Sequence, residues 1–169
     1  CKGGRVSFLP ADVTWADVGA QSTLNDKEIG VAGVVSKAVK EKFDFKDVTP
    51  VGAELDFELL LENKSDEVTV RPVPRFPAVE RDLSLVVNED VTWSDIAAAV
   101  EKKAPDELED LCFVDIYRGK GIPAGKKSLT LSLRFRDEDG TLTHDQVDAF
   151  EKAILQSITE ATGAELRTI

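Results

Sequence analysis

Apolar and polar positions fall into two regular patterns over the second half of the chain. Asp82–Val87 alternates with period two, as a strand with one buried face does. Thr92 stands before a run in which Trp93, Ile96, Ala97 and Val100 recur at helical spacing, and Asp95 sits where a capping box needs an acceptor. That helix must stop before Pro105. Leu111–Tyr117 reads as a second strand. Gly119–Gly125, with three glycines and Pro123, reads as a loop, and Ser128–Arg136 alternates strictly as a third strand. Thr143 then caps a long helix, with Gln146 in the capping-box position and Val147, Phe150, Ile154 and Ile158 on one stripe. Gly163 suits the helix C-cap, and Ala164–Arg167 suits a short last strand.

The resulting order, β-α-β-β-α-β, predicts an α+β, ferredoxin-like domain with two helices on one face of an antiparallel sheet. Its other face is left bare. In the third strand Leu129, Leu131, Leu133 and Phe135 lie toward the helices, so Ser132, Arg134 and Arg136 point outward. In the first, Leu83, Leu85 and Val87 go in, while Asp82 and Ser84 stay out. Burying Asp115 without a partner is costly. Strict alternation of the second strand therefore puts Cys112, Val114 and Ile116 inward and Phe113, Asp115 and Tyr117 on the open face. Aromatic rings on a sheet stack unpaired bases, and arginines add phosphate contact. The same pattern also suits a face covered by a neighbouring domain, with Asp–Arg pairs across strands.

The first half is less regular. Ile29–Val35 reads as a buried strand, Lys37–Phe43 as a short helix, and Glu54–Leu60 as an alternating strand. The stretches before Ile29 show no committed pattern, so residues 1–70 predict an α/β remnant of a larger domain, less stable alone than in its parent. Asn63–Glu67 is turn-like. The prolines within 71–77 predict an extended linker, with residues 78–169 forming the ferredoxin-like domain.

Composition narrows the chemistry. The 169 residues carry a net charge of −11, with 9 basic and 13 acidic side chains in residues 1–74 and 12 and 19 in residues 75–169. Any nucleic-acid site must then be a local face on an acidic body, without favourable long-range steering. One histidine and two distant cysteines give little from which to build a zinc site or a catalytic triad. No phosphate-binding loop, dinucleotide fingerprint or acid/base pair is present. Acid at Asn88-Glu89-Asp90 argues against a ferredoxin-like phosphatase, and no glycine marks a ligand-sensing turn there. No catalytic and no metal-binding residue is expected. The absence of methionine predicts an excised or processed piece, and the lack of a long apolar run predicts a cytoplasmic location without a membrane.

The second half also resembles the ferredoxin-fold anticodon-binding domain of phenylalanyl-tRNA synthetases. The resemblance rests on Phe76-Pro77, Arg81-Asp82-Leu83-Ser84-Leu85-Val86-Val87, Phe113-Val114-Asp115-Ile116-Tyr117-Arg118-Gly119, Gly125-Lys126-Lys127-Ser128-Leu129, Thr141-Leu142-Thr143 and Leu166-Arg167. Ile29-Gly30-Val31-Ala32-Gly33-Val34 and Ala53-Glu54-Leu55-Asp56 resemble strands of the class II-like module of the bacterial beta chain, although Ser36-Lys37 stands where that module has a His-Pro pair. The resemblance implies a beta chain whose C-terminal domain reaches the anticodon stem-loop of phenylalanine tRNA. It implies an alpha chain that makes phenylalanyl-adenylate, in a heterotetramer of two alpha and two beta chains. ATP and magnesium would serve that whole enzyme, with no cofactor in this segment. With strand alternation, it makes Phe113, Tyr117, Arg134 and Arg136 the expected contacts to the loop, and Asp82, Ser84 and Asp115 their polar partners.

Overall fold

The structure is a computed structural model, and it describes residues 6–64 and 73–167. The chain divides into two compact units, Cys1–Arg71 and Pro72–Ile169. Of the turn at Asn63–Glu67 and the linker at 71–77, residues 65–72 lie outside the described part.

The first unit is an antiparallel meander, β1 (Val6–Pro10), β2 (Ala16–Leu24), β3 (Lys27–Val35) and β4 (Val51–Leu55), in that order across the sheet. The expected strand and short helix are present as β3 and α1 (Lys37–Lys42), and β4 follows them. Ser36, where the His-Pro pair was missing, caps α1 by accepting a hydrogen bond from Val39 N–H. Two differences stand out. The patternless residues before Ile29 form β1 and β2, because few of their side chains are buried and so little alternation is written into them. The alternating stretch Glu54–Leu60 is not one strand. Asp56 accepts from Leu59 N–H at 3.0 Å and starts α2 (Phe57–Glu62), ending the ladder at Leu55.

Leu24 and Ile29 are the buried apolar residues described in this unit, while Phe8, Leu9, Phe43, Phe57 and Leu61 are exposed. So small a core cannot offset much chain entropy.

The second unit has the predicted element order: β5 (Val79–Asn88), α3 (Trp93–Glu101), β6 (Leu108–Tyr117), β7 (Lys126–Phe135), α4 (His144–Thr162) and β8 (Glu165–Leu166). Its sheet runs β6-β7-β5-β8, all antiparallel, which confirms the ferredoxin-like fold. Both capping boxes form, Thr92 with Asp95 and Thr143 with Gln146. Gly163 ends α4 at φ 68°, where a Cβ would be strained.

Leu83, Leu85, Val87, Leu129, Leu131, Leu133 and Phe135 meet Ile96, Ala99, Val100, Val147, Ile154 and Ile158 in one core. Ala99, not Ala97, turns fully into it. Ser157 stitches the helices together by donating to the Ala99 carbonyl at 2.7 Å. Arg81 fastens β5 to α4 through Asp148 and Glu151, each at 3.4 Å.

Candidate nucleic-acid interface

The register of β6 against β7 decides which side chains share the bare face. Leu111 pairs with Leu133 and Phe113 with Leu131, so both point to the helix side. The ladder then slips by one residue, and Asp115 pairs with Thr130, Ile116 with Leu129 and Tyr117 with Ser128. Val114 is the extra residue of a β-bulge, half exposed. Three placements are thereby overturned, the first being Val114, which was expected to point inward. Phe113 is not on the open face: it lies on the helix side, its ring edge-on to Trp93 at 5.7 Å between centroids. Cys112 is not in the core: it faces outward opposite Ser132, and its thiol donates to Asp110 at 3.2 Å. The Asp110 carboxylate beside that thiol raises its pKa. The bulge lets Phe113 point in and Asp115 point out, which strict alternation forbids.

On the open face, from β6 through β7 to β5, lie Asp110, Arg134 and Glu80, then Cys112, Ser132 and Asp82. The next rows are Asp115, Thr130 and Ser84, then Tyr117, Ser128 and Val86, with Glu165 of β8 beyond. Of the predicted residues, Asp82, Ser84, Asp115, Tyr117 and Arg134 do share this face. Ser84 and Thr130 join hydroxyls at 3.0 Å. Asp115 accepts from Ile116 N–H at 2.7 Å, which fixes its carboxylate and leaves acceptor capacity for a ligand.

Tyr117 is 41% exposed. Its hydroxyl points to the Lys120 carbonyl at 3.5 Å, and a Cβ on Gly119 would come within 2.7 Å of that hydroxyl. Glycine at 119 is therefore what lets the ring lie back against the loop. The Arg167 guanidinium carbon sits 5.4 Å from the ring centroid, within cation–π range. Beneath, Ser128 is 1% exposed, and its hydroxyl has no hydrogen-bond partner among the described residues.

The predicted arginines are already engaged. Arg134 Nε is 3.0 Å from Glu109. Arg136, with its side chain only 13% exposed, donates from Nε to the other oxygen of Glu109 at 3.0 Å and from its terminal nitrogen to the Phe76 carbonyl. Arg136 is thus a clamp closing the start of the domain onto the β6–β7 end. Donation from Arg136, helped by the charge of Arg134, holds the Glu109 carboxyl below its ordinary value. At the opposite end Arg118 grips Glu89 with two hydrogen bonds of 2.8 and 2.9 Å, lowering the Glu89 pKa and raising its own. Alternation along the strands located these side chains. Their ionic partners, separated by tens of residues, carry no signal in it.

A four-stranded antiparallel sheet with two helices sealing one face and the other left open is a two-layer α+β sandwich of the ferredoxin-like class. Residues 74–167 match the model of the ferredoxin-fold anticodon binding domain, and the chain belongs to that family. It is 35% identical over 165 residues to the phenylalanine–tRNA ligase beta subunit of Geobacillus kaustophilus, an alignment spanning 96% of this chain and 20% of the relative. The same subunit of Clostridium acetobutylicum is 37% identical over 139 residues, 82% of this chain and 17% of the relative. The chain thus spans about a fifth of the length of the curated relatives it matches.

Proposed function

We propose that the open sheet face binds the anticodon loop of phenylalanine tRNA, as part of a phenylalanine–tRNA ligase beta chain. The observation that carries this reading is the half-exposed Tyr117 ring, set on the bare face beside Asp115 and the Ser84–Thr130 hydroxyl pair. An unpaired loop base stacks on such a ring, and its exocyclic amines donate to a carboxylate on the same face. This mode suits an acidic surface, because splayed bases enter while most of the loop's phosphates stay toward solvent. Asp82, Ser84, Asp115, Tyr117 and Arg134 are the proposed contacts. Phe113 and Arg136 support the fold around them.

In the assembly we propose, an alpha chain carries out the ATP- and magnesium-dependent adenylation and charging, two alpha chains joining two beta chains in the cytoplasm. Residues 1–70 would be the end of the beta chain's class II-like module, 71–77 a linker and 78–169 the anticodon-binding domain. Among the described residues no helix is long and apolar enough to cross a membrane, and no group of three or more His, Cys, Asp or Glu is placed to hold a metal ion.

A second reading is favoured by charge. Glu80, Asp82, Asp110, Asp115 and Glu165 on the face outnumber Arg134, Lys126 and Arg167, which suits a basic protein surface. Chemical footprinting of phenylalanine tRNA separates the two readings. Protection confined to the anticodon loop supports the RNA reading, and an unprotected loop at saturating protein favours a protein partner.

A further inference from the structure

We infer that Arg167, just past the last strand, is the phosphate-contacting residue of this face, poised beside the ring on which a base stacks. The inference rests on the reading of the face as an anticodon-loop site and adds a residue that strand alternation did not suggest.

Four cations on or beside the face, Arg118, Lys126, Arg134 and Arg136, each have a carboxylate. Arg134 and Arg136 share Glu109. Lys126 pairs with Glu165 at 3.2 Å, and Arg118 is held by Glu89. Drawing any of them to a phosphate would break an ion pair and leave a carboxylate facing the RNA. Arg167 differs. Among the described residues it has no carboxylate partner, and its guanidinium meets only the π-face of Tyr117.

Its backbone is fixed. Arg167 N–H donates to the Ser84 carbonyl at 2.8 Å, so the side chain starts from a set point beside β5. A nucleotide stacked on Tyr117 carries its phosphate one sugar away from the base, within reach of an arginine lodged at the ring. Guanidinium suits that role because it makes two parallel hydrogen bonds to phosphate and still stacks on a ring. The buried Ser128 hydroxyl at the foot of the pair is an unmet polar group, and a base edge or ribose hydroxyl reaching it would remove that cost.

The test is binding of the full 169-residue chain to a hairpin RNA carrying the anticodon loop of phenylalanine tRNA, with Kd measured across a salt series. Arg167→Gln should weaken binding roughly tenfold and flatten the slope of log Kd against log salt by about 0.7 to 1. Arg167→Lys should retain the slope. Lys152→Gln on the helix side, an identical change in net charge, should do neither. Unchanged affinity and slope in Arg167→Gln, with Tyr117→Ala defective, would overturn the role of Arg167 and leave the face as an RNA site. No hairpin binding by the unaltered chain, or equal binding by Tyr117→Ala, would overturn the reading of the face and this inference with it. A circular dichroism melt of each variant establishes that the fold is intact. Should the glutamine variant not fold, Arg167→Ala and the lysine variant carry the same comparison.

Discussion

Phe135→Ala is expected to cost the second unit about 3–5 kcal/mol of stability, the range for truncating a large buried aromatic. Phe135 is fully buried and lies where three strands meet, paired with Val79 on β5 and Leu108 on β6. Its ring also packs against Phe150 of α4 at 5.7 Å. Removing it strips contacts from three strands and a helix at once, and fixed strand spacing prevents the sheet from closing the gap. For a unit of this size the midpoint of a thermal melt should fall by more than about 12 °C. A loss near 1 kcal/mol, read from chemical denaturation, would mean that helix α4 is not seated on this end of the sheet.

The second large effect separates the two aromatics of β6. Tyr117→Ala should cost about 1–3 kcal/mol in RNA binding, the contribution of one stacked base. Phe113→Ala acts on the other side of the sheet, where the ring, 47% exposed, meets Trp93. It removes the edge contact with Trp93, about 0.5–1.5 kcal/mol beyond area burial, and leaves RNA affinity unaltered. Fluorescence anisotropy with labelled hairpin and a denaturant melt on the same samples give both numbers. Equal loss of binding in both variants would mean that β6 runs without its bulge and that the two rings share a face.

That bulge marks the boundary of what the sequence disclosed. β7 was legible because Leu129, Leu131, Leu133 and Phe135 alternate with polar residues without interruption, and its burial follows that pattern from Leu129 to Phe135. The helices were legible because Thr92 and Thr143 each carry the capping partner three positions on. β6 was not, since Leu111-Cys112-Phe113-Val114 is apolar throughout and offers no single parity. Yet a signal was there. The helix-side residues Leu111, Phe113 and Ile116 are spaced by two and then by three, and a gap of three in a strand requires one extra residue. The cost of burying Asp115 placed that residue correctly, but the argument does not extend past a register shift to Phe113.

In the first unit the limit is different. With Leu24 and Ile29 as its buried apolar residues, burial imposes almost no alternation on β1 and β2, so no pattern could announce them. The arginines expose a third limit. Parity along β7 placed Arg134 on the open face. Whether a cation is available to a ligand, however, depends on Glu109 and the Phe76 carbonyl, which only the folded chain brings near. Arg167 is the converse, a residue just past β8 that gains its place from the ring beside it.

Backbone amide shifts of the chain, followed as the anticodon-loop hairpin is titrated in, report where the RNA sits. Perturbations are expected to cluster on Cys112, Asp115, Tyr117, Thr130, Ser132 and Ser84, with α3 and α4 unmoved. Shifts concentrated on the helices, with the strand amides silent, would contradict binding at the open face.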